Sequence, residues 1–151
     1  MIAGSASTDV EAPVDAVWQV LQNVEQWADW QGTLGHVDAL ERDAEDRVSR
    51  CEVQIDARIQ KIRLELAVSY DAPRRLSWRR EGGDLKHMEG SWELEDLGTG
   101  RTRATYALGV EPGGILSMLI NATVEEKLRG TLVDARPGEL KARVEGAWDY
   151  S

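Results

Sequence analysis

Phenylalanine is missing from this chain, and cysteine occurs once, at Cys51. A lone thiol closes no internal disulfide and builds no multi-thiolate metal site. A reducing compartment, the cytoplasm, is the location expected of such a chain. His36 and His87 are the two histidines, and with one cysteine they lack the spacing of a zinc site. Neither a metal nor another cofactor is expected. No run of about 18 apolar residues provides a spanning helix, and Met1 to Thr8 lack the basic and apolar regions of a signal peptide. Cations are outnumbered, 18 Lys and Arg against 27 Asp and Glu, for a net charge of −9. A nucleic-acid binder needs clustered cations to neutralise phosphates, and an anionic membrane surface repels such a chain. The acidity reads as solubility. No glycine-rich phosphate cradle and no nucleophile elbow are present.

What the chain does contain is enough for one domain over residues 1–151. A chain of 151 residues buries roughly 68–70% of its unfolded surface and supports a core without staples. The aromatic set is six Trp and three Tyr. Trp has an apolar body and one N–H donor, so it suits a cavity wall as well as a core.

Ile2–Val10 reads as a strand ended by Glu11-Ala12-Pro13. Pro13 is expected at the first position of a helix, where its missing N–H costs nothing. Val14, Val17, Trp18 and Leu21 follow at helical spacing, and Val24, Trp27 and Trp30 mark a second short helix closed by Gln31-Gly32. Leu34–Arg42 is a strand of unclear register. The period then becomes two: Ser49, Cys51, Val53, Ile55 and Ala57 alternate with polar residues, and Ile62, Leu64, Leu66, Val68 and Tyr70 continue on even positions. The change of parity between Ile59 and Ile62 predicts a turn or bulge. Leu76, Trp78 and Arg80 share a strand face, as do Met88, Gly90, Trp92 and Leu94, and later Thr102, Ala104, Tyr106, Leu108 and Val110. Asp71-Ala72-Pro73, Gly82-Gly83-Asp84 and Gly98-Thr99-Gly100 read as turns. After Pro112-Gly113-Gly114 the helical period returns in Leu116, Ile120, Val124, Leu128 and Leu132. Pro137-Gly138 predicts a kink or break, and Leu140, Val144 and Trp148 resume the stripe.

About seven strands joined by short turns make a mostly antiparallel meander. One apolar face needs a cover, and only the terminal helix is long enough to supply it. Two arrangements of the interior fit. Small inward residues (Cys51, Ala57, Gly90, Ala104) leave a pocket of a few hundred Å³, within the roughly 300–1,000 Å³ usual for ligand sites. Alternatively the aromatics fill that space as a packed core.

Glu11-Ala-Pro-Val-Asp-Ala-Val-Trp18 with Trp27-Ala-Asp-Trp30 resembles the N-terminal signature of the START-like superfamily. Tyr70-Asp-Ala-Pro-Arg-Arg-Leu-Ser-Trp78 resembles its later turn and strand, and Gly90-Ser-Trp-Glu-Leu94 with Gly98-Thr-Gly-Arg-Thr102 its next hairpin. Pro137-Gly-Glu-Leu-Lys141 resembles its C-terminal helix. The resemblance implies an α+β helix-grip fold: a curved antiparallel sheet, two short helices after strand one, and a long C-terminal helix across the sheet. It also implies two kinds of function. One is binding or transport of a lipid-, quinone- or polyketide-like molecule; the other is a polyketide aromatase/cyclase-dehydratase acting in the same cavity. Fold analogy alone assigns neither.

Val53, Ile55, Leu66, Trp78, Trp92, Tyr106, Ile120 and Val124 are the residues expected to face a ligand. A catalyst needs an acid/base group in the cavity, and Arg80, Tyr70 and Tyr106 are the candidates. Arg80 either points inward toward an anionic ligand group or lies at the sheet edge with its head in water. Tyr70 and Tyr106 either bond a ligand oxygen or pack as core tyrosines. Asn121 is expected at the solvent side of the long helix, His87 at the surface, and His36 at the surface or at the pocket mouth. The partner expected is a small apolar ligand, not nucleic acid, with no stable membrane insertion, and the chain a monomer or weak homodimer.

Overall fold

The computed structural model describes residues 2–57 and 60–149; the side chains of 115, 116 and 147–149 fall outside that description. The parity change at Ile59 and the side chains of Leu116 and Trp148 therefore lie outside the described residues. Strand β1 (Ile2–Val10) leads to helix α1 (Val14–Gln22) and a 3₁₀ helix, Val24–Asp29. Six strands follow: β2 (Leu34–Arg42), β3 (Val48–Asp56), β4 (Lys61–Asp71), β5 (Arg75–Gly83), β6 (His87–Gly98) and β7 (Arg101–Glu111). The sheet order is β1-β7-β6-β5-β4-β3-β2, and every neighbouring pair is antiparallel.

Local chemistry explains the boundaries. Pro13 is the N-cap of α1, in extended backbone, rather than its first helical residue as expected. Its carbonyl accepts from Ala16 and Val17 N–H, and a cap needs no N–H of its own to start the ladder. Thr102, fully buried, donates its hydroxyl to the Ala12 carbonyl at 2.8 Å and fixes this entry. Val17, Trp18 and Leu21 on α1, and Val24 and Trp27 on the 3₁₀ helix, are buried. Each such side chain contributes about 1.5–3 kcal/mol. The unclear register of β2 has a structural counterpart: its pairing with β3 slips between Leu34 and His36 and again after Ala39.

Gly82 and Gly83 are not a hairpin turn. They extend β5 opposite Glu65 and Leu64, past a register shift that leaves Glu81 as the extra residue. Gly83 has φ +110, and a β-carbon there would stand 2.3 Å from the Arg63 carbonyl oxygen. Glycine serves a close backbone approach here, and the turn falls after it.

Gly113 and Gly114, both at positive φ, swing the chain from β7 into α2 (Gly114–Met118). Asn121 then caps α3 (Ala122–Arg129), its Oδ1 accepting from Val124 N–H at 2.9 Å. A π-helical turn, Gly130–Asp134, passes through Ala135 into α4 (Arg136–Asp149). The irregularity expected at Pro137 thus falls just before it, since Pro137 occupies the first turn of α4 and its ring need not clash with a preceding turn. The C-terminal helix lies over β1 and β7. Arg129 Nε donates to the Ala3 carbonyl, Lys141 Nζ to the Asp9 carbonyl, and Glu145 accepts from Glu11 N–H. Among the described residues no helix is long and apolar enough to cross a membrane.

Candidate ligand cavity

Between the sheet, the 3₁₀ helix and the C-terminal helix lies a cavity of about 70 Å³. Val53, Ile55, Leu66, Trp78, Tyr106 and Ile120, all expected there, line it. The volume is far below the few hundred Å³ expected. Cys51 and Ala57 do border the free space, but the room left by Gly90 is taken by a neighbouring ring. Trp78 lies across Gly90, and Trp27 closes from the other side, its ring centroid 5.4 Å from that of Trp78. Burial also fixes Trp27, whose Nε1 donates to the Leu21 carbonyl at 2.9 Å.

Trp92 and Val124 stand off the cavity wall. Register places Trp92 beside Tyr106, and its ring packs behind that tyrosine at 4.8 Å and under Trp30 at 6.2 Å. Val124 is half-buried against the core, on the turn of α3 capped by Asn121.

The three acid/base candidates separate. Tyr70 donates its hydroxyl to the Val48 carbonyl at 2.6 Å, under the Arg47 guanidinium. Burial, with Asp43 nearby, holds that phenol well above the ordinary tyrosine range. Arg80 donates through Nη2 to the Gly83 carbonyl at 2.9 Å, tied to the end of its own strand. Neither residue lines the cavity. Tyr106 does, and burial pushes its hydroxyl up to about 12, against the lowering effect of Arg136 beside it. At neutral pH it is a donor.

The polar end of the cavity is absent from the sequence-based expectations. Arg136 lines it and is 2% exposed. Its guanidinium pairs with Glu139 and donates from Nη2 to Thr33 Oγ1 at 2.6 Å and to the Thr131 carbonyl at 2.8 Å. Glu139 in turn accepts from Gly32 N–H at 2.7 Å. The network therefore ties the loop after the 3₁₀ helix to the start of α4. Thr33 and Arg136 also line a surface cleft with Lys127 and Glu139, so they partition cavity from solvent. A signal for Arg136 existed: it falls at four-residue spacing between Leu128, Leu132, Leu140 and Val144, a charge inside an apolar stripe. Gln31, read only as a helix terminator, also lines the cavity.

The remaining polar residues lie elsewhere. Cys51 borders the cavity, and burial pushes its thiol up to about 12. His87 is at the surface beside Glu89. His36, Asp38 and Glu52 bring potential ligand atoms within 4.8 Å of one another on β2 and β3, away from the cavity. Arg63 already pairs with that Glu52 at 2.7 Å.

Residues 1–145 match the family model described as polyketide cyclase / dehydrase and lipid transport. No curated protein sequence matches the chain. Among solved structures, a START superfamily protein from Mycobacterium smegmatis superposes with a TM-score of 0.83 at 20% identity, over 96% of this chain and 98% of that one. A protein from Thermus thermophilus gives 0.82 at 21% identity, over the same shares, 96% and 98%. An aromatase/cyclase from a Streptomyces species gives 0.70 at 23% identity, over 94% of each chain. The helix-grip α+β fold is thereby that of the START-like proteins.

Proposed function

This chain belongs to the polyketide cyclase / dehydrase and lipid-transport family, and from that premise we propose that it binds and carries one small apolar molecule beneath its C-terminal helix. The cavity supports this reading: its walls come almost wholly from apolar side chains, with Gln31, Thr33, Tyr106 and Arg136 at one end. An apolar wall recognises shape and gives little to drive proton transfer. Of the acid/base candidates only Tyr106 borders it, and a hydroxyl raised to about 12 is a poor base at neutral pH.

The small volume has a consequence for binding. At about 70 Å³ the cavity is smaller than usual ligand sites, so a ligand is accommodated by moving a wall. Trp27 and Trp78 meet edge-on across it, and their emission reports that movement. Titration with naphthalene, together with native mass spectrometry of the protein as purified, tests the reading. Binding shifts Trp emission saturably. Unchanged emission at sub-millimolar naphthalene, with only the bare mass in the spectrum, sinks it. Aromatase/cyclase chemistry in the same cavity is the second reading, favoured by the Tyr106 hydroxyl there, and the Tyr106 substitution discussed below separates the two.

A further inference from the structure

Four buried side-chain atoms lack a hydrogen-bond partner among the described residues: Trp30 Nε1, Gln31 Nε2, Arg80 Nε and Trp92 Nε1. All four are donors. Three belong to one neighbourhood, since Trp30 adjoins Gln31 in sequence and packs on Trp92 at 6.2 Å. That end of the interior has donors in excess and acceptors in deficit. Buried polar groups are normally satisfied, and an orphan in a native fold calls for a specific explanation. Of the three, only Gln31 borders the cavity, and it is 7% exposed. In this position its Nε2 is out of reach of water and has no acceptor.

The surrounding charges narrow what the acceptor is. Arg136 is the charged neighbour at this end, joined to the Gln31 loop through Thr33. Its charge is already matched by Glu139, and its Nη2 is taken by Thr33 and the Thr131 carbonyl. A carboxylate or phosphate entering here would meet a neutralised guanidinium inside an apolar cavity and would lose its hydration without a free cation in return. A neutral oxygen loses far less. We propose that Gln31 is the polar anchor of the cavity and that its Nε2 donates to a carbonyl oxygen on an otherwise apolar, uncharged ligand. The Tyr106 hydroxyl, on the same cavity wall, is the second donor for that oxygen. This rests on the carrier reading and narrows it: an apolar ketone, quinone or ester is taken, and a free fatty acid is refused.

Three probes of similar size separate the possibilities: cyclohexanone, methylenecyclohexane and cyclohexanecarboxylate. Each is titrated into the wild type and into Gln31→Leu, with binding followed by two-dimensional amide NMR. In the wild type, cyclohexanone binds about tenfold more tightly than methylenecyclohexane, as one net hydrogen bond predicts, and the carboxylate binds worst. The Gln31 side-chain NH2 resonances move with cyclohexanone only. Gln31→Leu loses the preference for the ketone over methylenecyclohexane. Equal binding of ketone and alkene in the wild type, a preference that survives in Gln31→Leu, or tightest binding of the carboxylate overturns the inference and leaves the carrier reading standing. If none of the three binds, both fall. Should Gln31→Leu fail to fold, the wild-type side-chain resonances still decide, since no movement with saturating cyclohexanone excludes Gln31 as the anchor.

Discussion

Trp78 and Gly90 face each other on neighbouring strands, and the indole occupies the place where a side chain at 90 would stand. A β-carbon on Gly90 would lie 2.4 Å from Trp78 Cζ2 and 2.9 Å from the Ala107 carbonyl oxygen. Gly90→Ala should therefore push the indole toward the cavity or distort β6. Overpacking of this kind costs about 1–3 kcal/mol. Urea unfolding of the variant reads the loss directly, and an unchanged midpoint would mean that Trp78 moves aside freely.

Arg136 and Glu139 form an ion pair whose cation is buried. Arg136→Met strands the carboxylate against Gly32 and removes the bonds to Thr33 and Thr131. Breaking one side of such a pair costs about 3 kcal/mol. Replacing both partners, Arg136→Met with Glu139→Leu, should recover most of that loss, because the uncompensated charge goes too. Thermal melts of the two single variants and the double variant form the cycle, and strict additivity would show that the pair acts as two independent surface charges.

Tyr106→Phe keeps the ring and removes only the hydroxyl. For a carrier, the loss is one hydrogen bond to the ligand, about 0.5–1.5 kcal/mol. For an aromatase/cyclase using that group in proton transfer, turnover of a poly-β-ketone should fall by about 10²–10⁴. The carrier outcome is the expected one. Wild-type cyclisation that disappears in the variant, with binding intact, would reverse it.

Alkaline pH should loosen the fold through Cys51. Burial raises its thiol from 9.0 to about 12, so the unfolded chain releases the proton first. The native state then binds more protons than the unfolded one, and stability falls as pH rises. The contribution is intact below about pH 9 and is lost between there and about pH 12. Denaturant midpoints for wild type and Cys51→Ala, compared across roughly pH 8 to 10.5, should keep a constant offset at the low end, with the wild type losing ground at the high end. Parallel curves would count against a buried neutral thiol.

Much of the fold can be read from periodicity. The alternating runs of β3, β4 and β7 keep one face buried along most of each strand, and a two-residue period leaves little choice of register. The site is legible only in part, for a reason visible in single residues. Gly90 and Trp78 each read as inward-facing, but cavity volume depends on whether one ring lies over the other, and alternation carries no information about that. Gly82-Gly83 resembles a turn because glycine permits both turns and close backbone approach. Arg136 shows the opposite failure: it falls on the apolar stripe at four-residue spacing, but a charged residue there gives no sign of facing inward until Glu139, Thr33 and Thr131 are placed around it.

β1 has a further consequence, in how the chain assembles. Among the described residues its one sheet partner is β7, in unbroken register from Ile2↔Val110 to Val10↔Thr102, and its side-chain ties run to Arg129, Lys141 and the arginines of β7. Strands β2 to β7 can zip together hairpin by hairpin, each contact closing a short loop. β1 cannot, because its partner strand lies at the far end of the meander in sequence, and such long closures are slow. During that interval β7 presents an open row of backbone donors and acceptors, the kind of edge on which chains aggregate. In pulse-labelled refolding the β1 amides should gain protection last. The strand that straps the C-terminal helix in place is thus also the one that ends the chain's exposure to its own copies.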